Sequence, residues 1–230
     1  MRSLTLLLSD ARFPSGGHAH SGGIEEACAE GTLDDLAGLD DFLRGRLATS
    51  GKVAAHIAAA VCSHARDAGD LRRVWRVADL ECDARTPSPA ARSVSRRQGG
   101  PLLRTALRVF DTEVLRSLLA DSTTTGMDPH QPVATGAVAA AGRLSPLEAA
   151  AACAYGAVAG PASAALRLLG LDPAGVAKVL VGISGEVDSI AIDAARTADR
   201  PLSRLPSPSA PILDLLGEAH FERKERLFAS

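Results

Sequence analysis

The chain has 230 residues, which is long enough to bury a sizeable core without disulfides or a structural metal. Hydrophobic residues make up 46% of it but aromatic residues only 3%, so the core must be built from Ala, Leu and Val, a composition that favours closely packed helices. The formal net charge of -2 excludes the broad basic field with which proteins bind nucleic acid or anionic membranes.

Two apolar stretches resemble, in part, a signal peptide and a membrane span. Residues 4–8 form a short apolar run, but Asp10 and Arg12 interrupt it before it reaches the length of a signal peptide. Residues 149–166 approach the length of a membrane span, yet they are mostly Ala and Gly and contain Pro161. We therefore predict a cytoplasmic protein without a membrane partner.

Residues 10–23 hold four glycines, one proline and two histidines, a density that predicts a specified loop. The glycines would supply positive φ or close packing, and Ser21 would cap a helix that contains Glu25 and Glu26. No Lys-Ser or Lys-Thr pair follows the glycines, which excludes a phosphate-binding P-loop. The sequence favours a structural role for this loop.

The two histidines of the loop are its candidates for chemistry. His18 and His20 are weak candidates for nickel ligands, because imidazole is a suitable donor but two ligands alone make a weak site. A nucleophilic pair of His20 and Ser21 is disfavoured, since adjacent side chains point apart and no strand-to-helix elbow is present. His56 and His64 are eight residues apart, which is not the spacing of a shared metal site on a helix.

Apolar residues that recur every three or four positions predict helices through most of the chain. Helices are expected at residues 31–50, 53–61, 71–80, 102–119 and from 172 onward, with a break at 86–89, a loop at 121–132 and a proline-rich linker at 200–211. Thr32 would cap the first of them. No segment alternates apolar and polar residues over strand length. The fold class is therefore all-α, a single-domain helical bundle of about ten helices over residues 1–230.

Small residues dominate positions 133–160, where Gly156 and Gly160 have the spacing that allows two helices to approach closely. We predict a tight helix–helix contact around Tyr155 and these two glycines, and a candidate dimer seam. The four cysteines are widely spaced and are expected to be reduced and buried. They are Cys28, Cys62, Cys82 and Cys153.

Residues 92–100 form a basic patch that precedes Arg104 and Arg108. It can be a solvated helix face balanced by acidic residues at 79–83, or a surface for an acidic partner, since arginine makes bidentate contacts. The tail, residues 212–230, carries Phe221, Leu227 and Phe228 on a highly charged background. We predict that it is weakly ordered alone and docks onto a partner. Docking onto its own body is the alternative.

The loop resembles the Asp-Ser-x-Phe-Pro-x-Gly-Gly-Phe-x-His-Ser-x-Gly-x-Glu signature of the UreF family of urease accessory proteins. Weaker similarities follow in the expected order at residues 95–103, 130–136 and 211–230, so the resemblance spans nearly the whole chain. The sequence departs from the family at His18, Ala219 and residues 181–189. The matching loop positions are Asp10, Phe13, Pro14, Gly16, Gly17, His20, Ser21, Gly23 and Glu25.

The resemblance implies a non-catalytic, all-α homodimer without a cofactor. It implies partners, namely the UreD (UreH) scaffold, the nickel-carrying GTPase UreG and the urease structural subunits, and a role in GTP-dependent nickel insertion into apo-urease. Two other hypotheses are a direct nickel metallochaperone, in which His220 or Cys28 joins the loop histidines, and a small hydrolase using His20 and Ser21. The residues that the resemblance assigns to partner binding are Phe13, Pro14, Gly16, Gly17, His20, Ser21, Arg97, Gln98, His220, Glu222, Arg226, Leu227 and Phe228.

Overall fold

The computed structural model describes residues 3–10, 13, 19–67 and 69–229, and these residues contain helices and no strand. This confirms the all-α class. The α-helices are α1 (Ser3–Ser9), α2 (Ile24–Ala29), α3 (Leu36–Arg46), α4 (Lys52–Asp67), α5 (Leu71–Ala84), α6 (Pro89–Phe110), α7 (Glu113–Thr125), α8 (Gln131–Ala141), α9 (Pro146–Leu169), α10 (Pro173–Arg196) and α11 (Pro211–Glu222). A π-helical turn, Leu47–Gly51, joins α3 directly to α4, and a 3-10 turn, Leu202–Arg204, precedes α11.

The core is centred on α8, which packs against α4, α6 and α9. Every residue from position 132 to 140 is buried, and most are alanine or valine, as the low aromatic content predicts. Gly136 explains how closely α8 approaches α4. A Cβ at this position would lie 2.6 Å from the carbonyl oxygen of Ala58 and 2.7 Å from Cβ of Val61. The absence of a side chain at Gly136 therefore sets the distance between the two central helices.

The apolar stretch at 149–166 is part of α9, which is, within the described residues, the one helix long and apolar enough to cross a membrane. Half of its most apolar window is buried in the protein, where α9 packs against α4, α8 and α10. Burial of this kind is what a central helix of a bundle requires.

Pro161 lies inside α9, although proline removes the backbone donor that would bond the carbonyl four residues earlier. That carbonyl belongs to Ala157, and Nε of Arg46 donates a hydrogen bond to it over 3.0 Å. Nη1 of the same guanidinium donates to the carbonyl of Gly22 over 2.9 Å. Arg46 therefore replaces the missing donor and, through its two hydrogen bonds, connects the N-terminal loop to α9.

Two helix starts agree with the sequence, since Asp70 and Asp172 cap α5 and α10 with their side chains. The single helix predicted at 102–119 is wrong, because α6 begins at Pro89, where Ser88 caps it, and ends at Phe110 before α7 begins. The Thr32 cap is wrong, because the helix begins at Leu36 and Asp35 accepts from the amide of Gly38. The hydroxyl of Thr32 instead donates to the carbonyl of Ala27.

The predicted Ser21 cap is also wrong, because Gly23, with a φ of 97°, occupies the N-cap position of α2. The expectation of positive φ holds at Gly22 and Gly23, where φ is 65° and 97°. The predicted loop at 121–132 is too long. Helix α7 continues to Thr125, with the hydroxyls of Thr124 and Thr125 donating to carbonyls one turn earlier, and α8 begins at Gln131.

Gly156 and Gly160 do not form the tight contact that their spacing predicts. A Cβ at either position would meet no atom within 4 Å, and the side chain of Tyr155 is 42% exposed. The small residues of this part of α9 face an open region of the chain. The close helix approach lies instead at Gly136, which has no glycine partner at that spacing.

Candidate interaction site

Helix α11 and the residues after it, 223–229, lie on the protein's own body. The helix packs chiefly against α6 and α2, and Leu216, His220 and Phe228 are buried. In this structure the tail therefore has the alternative arrangement, docking onto the body, and its docking onto a partner stays a prediction. The physical reason is that carboxylates supply polar attachments which the apolar pattern of the tail does not reveal.

The first attachment is made by Glu218 at the start of α6. Its Oε1 accepts hydrogen bonds from the Ser88 hydroxyl and, over 2.9 Å, from the backbone amide of Ala90. The first amides of a helix lack partners within the helix, so a carboxylate there is favourable. The pKa of Glu218 is lowered by these bonds, chiefly the bond from Ser88.

The second attachment is a buried cluster around Glu25 of α2. Oε2 of Glu25 accepts from Nε2 of His220 over 2.8 Å and from the amide of Phe228 over 3.1 Å. Oε1 accepts from the amide of Leu227 over 2.7 Å. Burial alone would raise the pKa of Glu25, but the bonds from Leu227, His220 and Phe228 outweigh it, so the pKa lies below the usual value.

Three further contacts surround this cluster. The amide of Ala229 donates to the carbonyl of Ala19 over 2.7 Å, and Nε of Arg223 donates to Oε2 of Glu26 over 2.9 Å. The guanidinium of Arg167 lies 4.4 Å from the centre of the Phe228 ring. The N-terminal and C-terminal motifs, separated by almost the whole sequence, therefore form one structural unit.

The other two motifs also meet each other, at the junction of α6 and α8. Oγ of Ser95 accepts from the amide of Gln131 over 3.1 Å, and any Cβ on Gly99 would collide with the carbonyl of Pro129. Nε2 of His130 lies 2.9 Å from Oδ1 of Asp83. These contacts give the motif residues a packing role, because each one fixes the entry of the chain into the central helix.

A group of potential metal ligands at this junction comprises Asp79, Asp83 and His130. Arg96 already lies against both carboxylates, with 2.7 Å from Nη1 to Asp79 and 3.1 Å from Nη2 to Asp83. Burial lowers the pKa of His130 despite the neighbouring carboxylates, Asp79 foremost. Because the guanidinium compensates the acidic charge, the group fits an ion-pair network better than a cation site. It supports the balanced-face interpretation for Arg96 within the basic patch.

The residues assigned to partner binding fall into three groups. Pro14, Gly16 and Gly17, and also His18, lie outside the described residues. Several members are buried and contact this chain itself, and others are accessible at the surface. The buried members are Phe13, His20, Ser21, His220 and Phe228. The members with accessible surface are Arg97, Gln98, Glu222, Arg226 and Leu227.

The hypotheses that need a reactive loop gain no support from this placement. Ser21 is fully buried, so it is not placed to attack a substrate. His220 is bonded to Glu25, and burial with the nearby charge of Glu25 raises the pKa of Cys28, which disfavours the thiolate that a metal would need. The four cysteines are free thiols, and Cys62, Cys82 and Cys153 are buried.

The tail leaves an apolar surface that the sequence motifs did not single out. We use the name tail face for the four large apolar side chains that are 47–82% exposed along α11 and just after it. A cavity of about 740 Å³ is lined by residues from much of the chain, among them Gly160 of α9 and Leu213 and Phe221 of α11. Exposed large apolar side chains in one short segment make the tail a candidate interaction surface. The residues of the tail face are Ile212, Leu215, Phe221 and Leu227.

These features define the class of protein: an all-α protein whose two chain ends join around one buried carboxylate and present an apolar face beside it. Sequence comparison gives the family. The UreF family model matches residues 33–184. The chain is 44% identical over 232 aligned residues to the urease accessory protein UreF of Mycobacterium sp. strain JLS, with full coverage of both chains.

Two further relatives carry the same description. The identity is 43% to the protein of Mycolicibacterium vanbaalenii, covering 98% of this chain and 97% of the relative. It is 42% to the protein of Mycobacterium tuberculosis H37Rv, covering all of both chains. The chain belongs to the UreF family, which is a family of accessory proteins, and the resemblance drawn from the four motifs is confirmed.

Proposed function

We propose that this chain takes part in urease maturation and acts through protein–protein contacts rather than by catalysing a reaction. The observation that carries the proposal is its similarity, over the full length of both chains, to proteins described as urease accessory protein UreF. The described site supports a binding role, since its buried polar groups hold the chain ends together and its exposed groups include large apolar side chains.

The proposed partners are the UreD (UreH) scaffold, the GTPase UreG and the urease structural subunits. In this proposal the chain, a single cytoplasmic domain of residues 1–230, bridges the GTPase to apo-urease so that GTP hydrolysis is coupled to nickel insertion. The tail face supports such contacts, because Ile212 and Leu215 are 59% and 64% exposed on a helix whose Leu216 and His220 are buried against the body. Arg97, Glu222 and Arg226 add charged groups at the surface.

The function is tested by co-expressing the urease subunits and accessory proteins with and without this chain. Purified urease is then assayed for nickel by mass spectrometry and for urea hydrolysis. The proposal expects nickel content and activity to fall at least about tenfold when the chain is omitted. Equal nickel content in both preparations would refute a role in nickel insertion.

We also propose a homodimer whose seam includes Tyr155, Gly156 and Gly160 of α9. Its support is that Tyr155 is exposed while both glycines leave open space, so a second helix could approach this stretch closely. Gly156→Leu is expected to keep the melting temperature and abolish the dimer in light scattering. Gly185→Leu on α10, also in open space, is the control. A dimer of unchanged affinity in Gly156→Leu would place the seam elsewhere.

A further inference from the structure

Residues 223–229 follow the end of α11 and contain no helix of their own. Their position therefore depends on contacts with the body rather than on bonds within a helix. Two of its backbone amides, those of Leu227 and Phe228, bond to the two oxygens of a single side chain, Glu25, which also accepts from His220 of α11. The carboxylate is 6% exposed, so water cannot easily replace these donors while the segment is in place.

The same segment carries part of the tail face. Leu227 is 82% exposed, although its backbone amide is bonded to Glu25, whereas the neighbouring Phe228 is 6% exposed. With both amides bonded to Glu25, Leu227 is exposed and Phe228 is buried. If Leu227 and Phe228 lost these bonds, the segment would no longer hold Leu227 in a defined position.

We propose that Glu25 is a latch: a positioning residue that holds residues 223–229 closed on the body and so completes the tail face, and whose release opens this segment while α11 stays packed. The use of the completed face rests on the proposed function, but the latch is a property of the free chain. Opening separates from global unfolding because α11 keeps its own attachment through Glu218 to Ser88 and Ala90.

The tail contains its own reporters. Arg223, Lys224 and Arg226 are cleavage sites for trypsin inside the latched segment. When opening is fast compared with cleavage, the cleavage rate follows the population of the open form. Limited digestion of the full chain, followed by mass spectrometry of the released peptides, therefore measures the latch directly.

The test compares Glu25→Gln with the parent and with Glu30→Gln, a control that removes an exposed carboxylate just after α2 and leaves the sequence around the tail sites unchanged. Glu25→Gln is expected to raise the cleavage rate at the three tail sites at least about tenfold, because it removes the charge that strengthens its three hydrogen bonds. His220→Asn is expected to raise the rate less, and Glu30→Gln to leave it unchanged. Cleavage at Arg116 in α7 reports on the body.

Two results would overturn the latch. One is tail cleavage in Glu25→Gln at the parental rate. The other is a parallel rise at Arg116 with a lower melting temperature, which would make Glu25 a general element of the fold. Both results are independent of the urease experiment. The latch can be confirmed while omission of the chain leaves the nickel content of urease unchanged, and the latch can fail while the nickel content falls.

Discussion

The central helix α8 and the tail helix α11 are attached to the protein by different physical means. Helix α8 is buried on nearly all sides, and its distance to α4 is set by backbone contact at Gly136. Helix α11 is buried on one side only and is attached through Glu218 and His220 to fixed polar partners. A closely packed helix cannot move without disturbing its neighbours, whereas hydrogen bonds to a carboxylate can break one at a time. The comparison indicates a rigid body with a releasable tail.

The largest expected effect is at Gly136. Gly136→Ala should destabilise the protein by about 3 kcal/mol, because the new Cβ would lie 2.6 Å from a backbone oxygen that cannot move alone. Gly185→Ala on α10 is the matched control, since open space surrounds it and alanine is the better helix former by about 1 kcal/mol. Urea unfolding should give opposite signs for the two variants, and a neutral Gly136→Ala would contradict the account of the core.

Arg46 connects the rigid body to the N-terminal loop, and its removal should have the next largest effect. Arg46→Met leaves the carbonyls of Ala157 and Gly22 without their donor, which should cost about 1 to 2 kcal/mol. Burial lowers the pKa of Arg46 to about 10, so the charge is retained at neutral pH. Arg116→Met removes a largely exposed pair with Asp111 and should cost less than about 1 kcal/mol. Equal unfolding midpoints for the two variants would show that the two bonds of Arg46 do not stabilise the fold.

Acidification should weaken the tail attachment at Glu25. The folded pKa of this residue lies below its ordinary value of 4.5, so the attachment contributes fully above pH 4.5 and is lost as the pH falls through the folded value. The amide proton shifts of Leu227 and Phe228, followed by NMR, should titrate together in this lower range. Titration of both amides at or above 4.5 would show that their bonds do not stabilise the ionised form.

Glu218 should show the smallest effect. Glu218→Gln keeps an oxygen near the start of α6 but removes the negative charge, which is worth about 0.5 to 1 kcal/mol at a helix N-terminus. Chemical denaturation of this variant beside Glu225→Gln measures the difference. A larger loss than that of Gly136→Ala would reverse the proposed order of core and tail.

The sequence alone predicted the parts of the fold that depend on local patterns. Helical periodicity gave the all-α class, and the Asp172-Pro173 pair gave the start of α10. The motifs predicted the family but not which motif residues bond to each other, because the bond between Glu25 and His220 joins positions 195 residues apart. Glycine spacing pointed to Gly156, whereas the close contact lies at Gly136. Local spacing does not reveal which face of a helix meets a neighbour.

The continuity of α9 through Pro161 and the order of the tail were missed for a related reason. In each case a distant side chain, Arg46 or Glu25, supplies what the local sequence lacks. Judged from neighbouring residues alone, a proline disfavours a continuous helix and a high charge disfavours packing against the body. In this protein, hydrogen bonds from distant residues stabilise both arrangements.

The central claim is that the tail face binds a partner without being needed for the fold. The most direct test is the double variant Ile212→Ser, Leu215→Ser, with Leu80→Ser, which alters an exposed leucine on α5, as the control. The account predicts that the double variant keeps the parental melting temperature but no longer co-purifies with the co-expressed scaffold and urease subunits, whereas the control still does. Co-purification of the double variant at the parental level would contradict it.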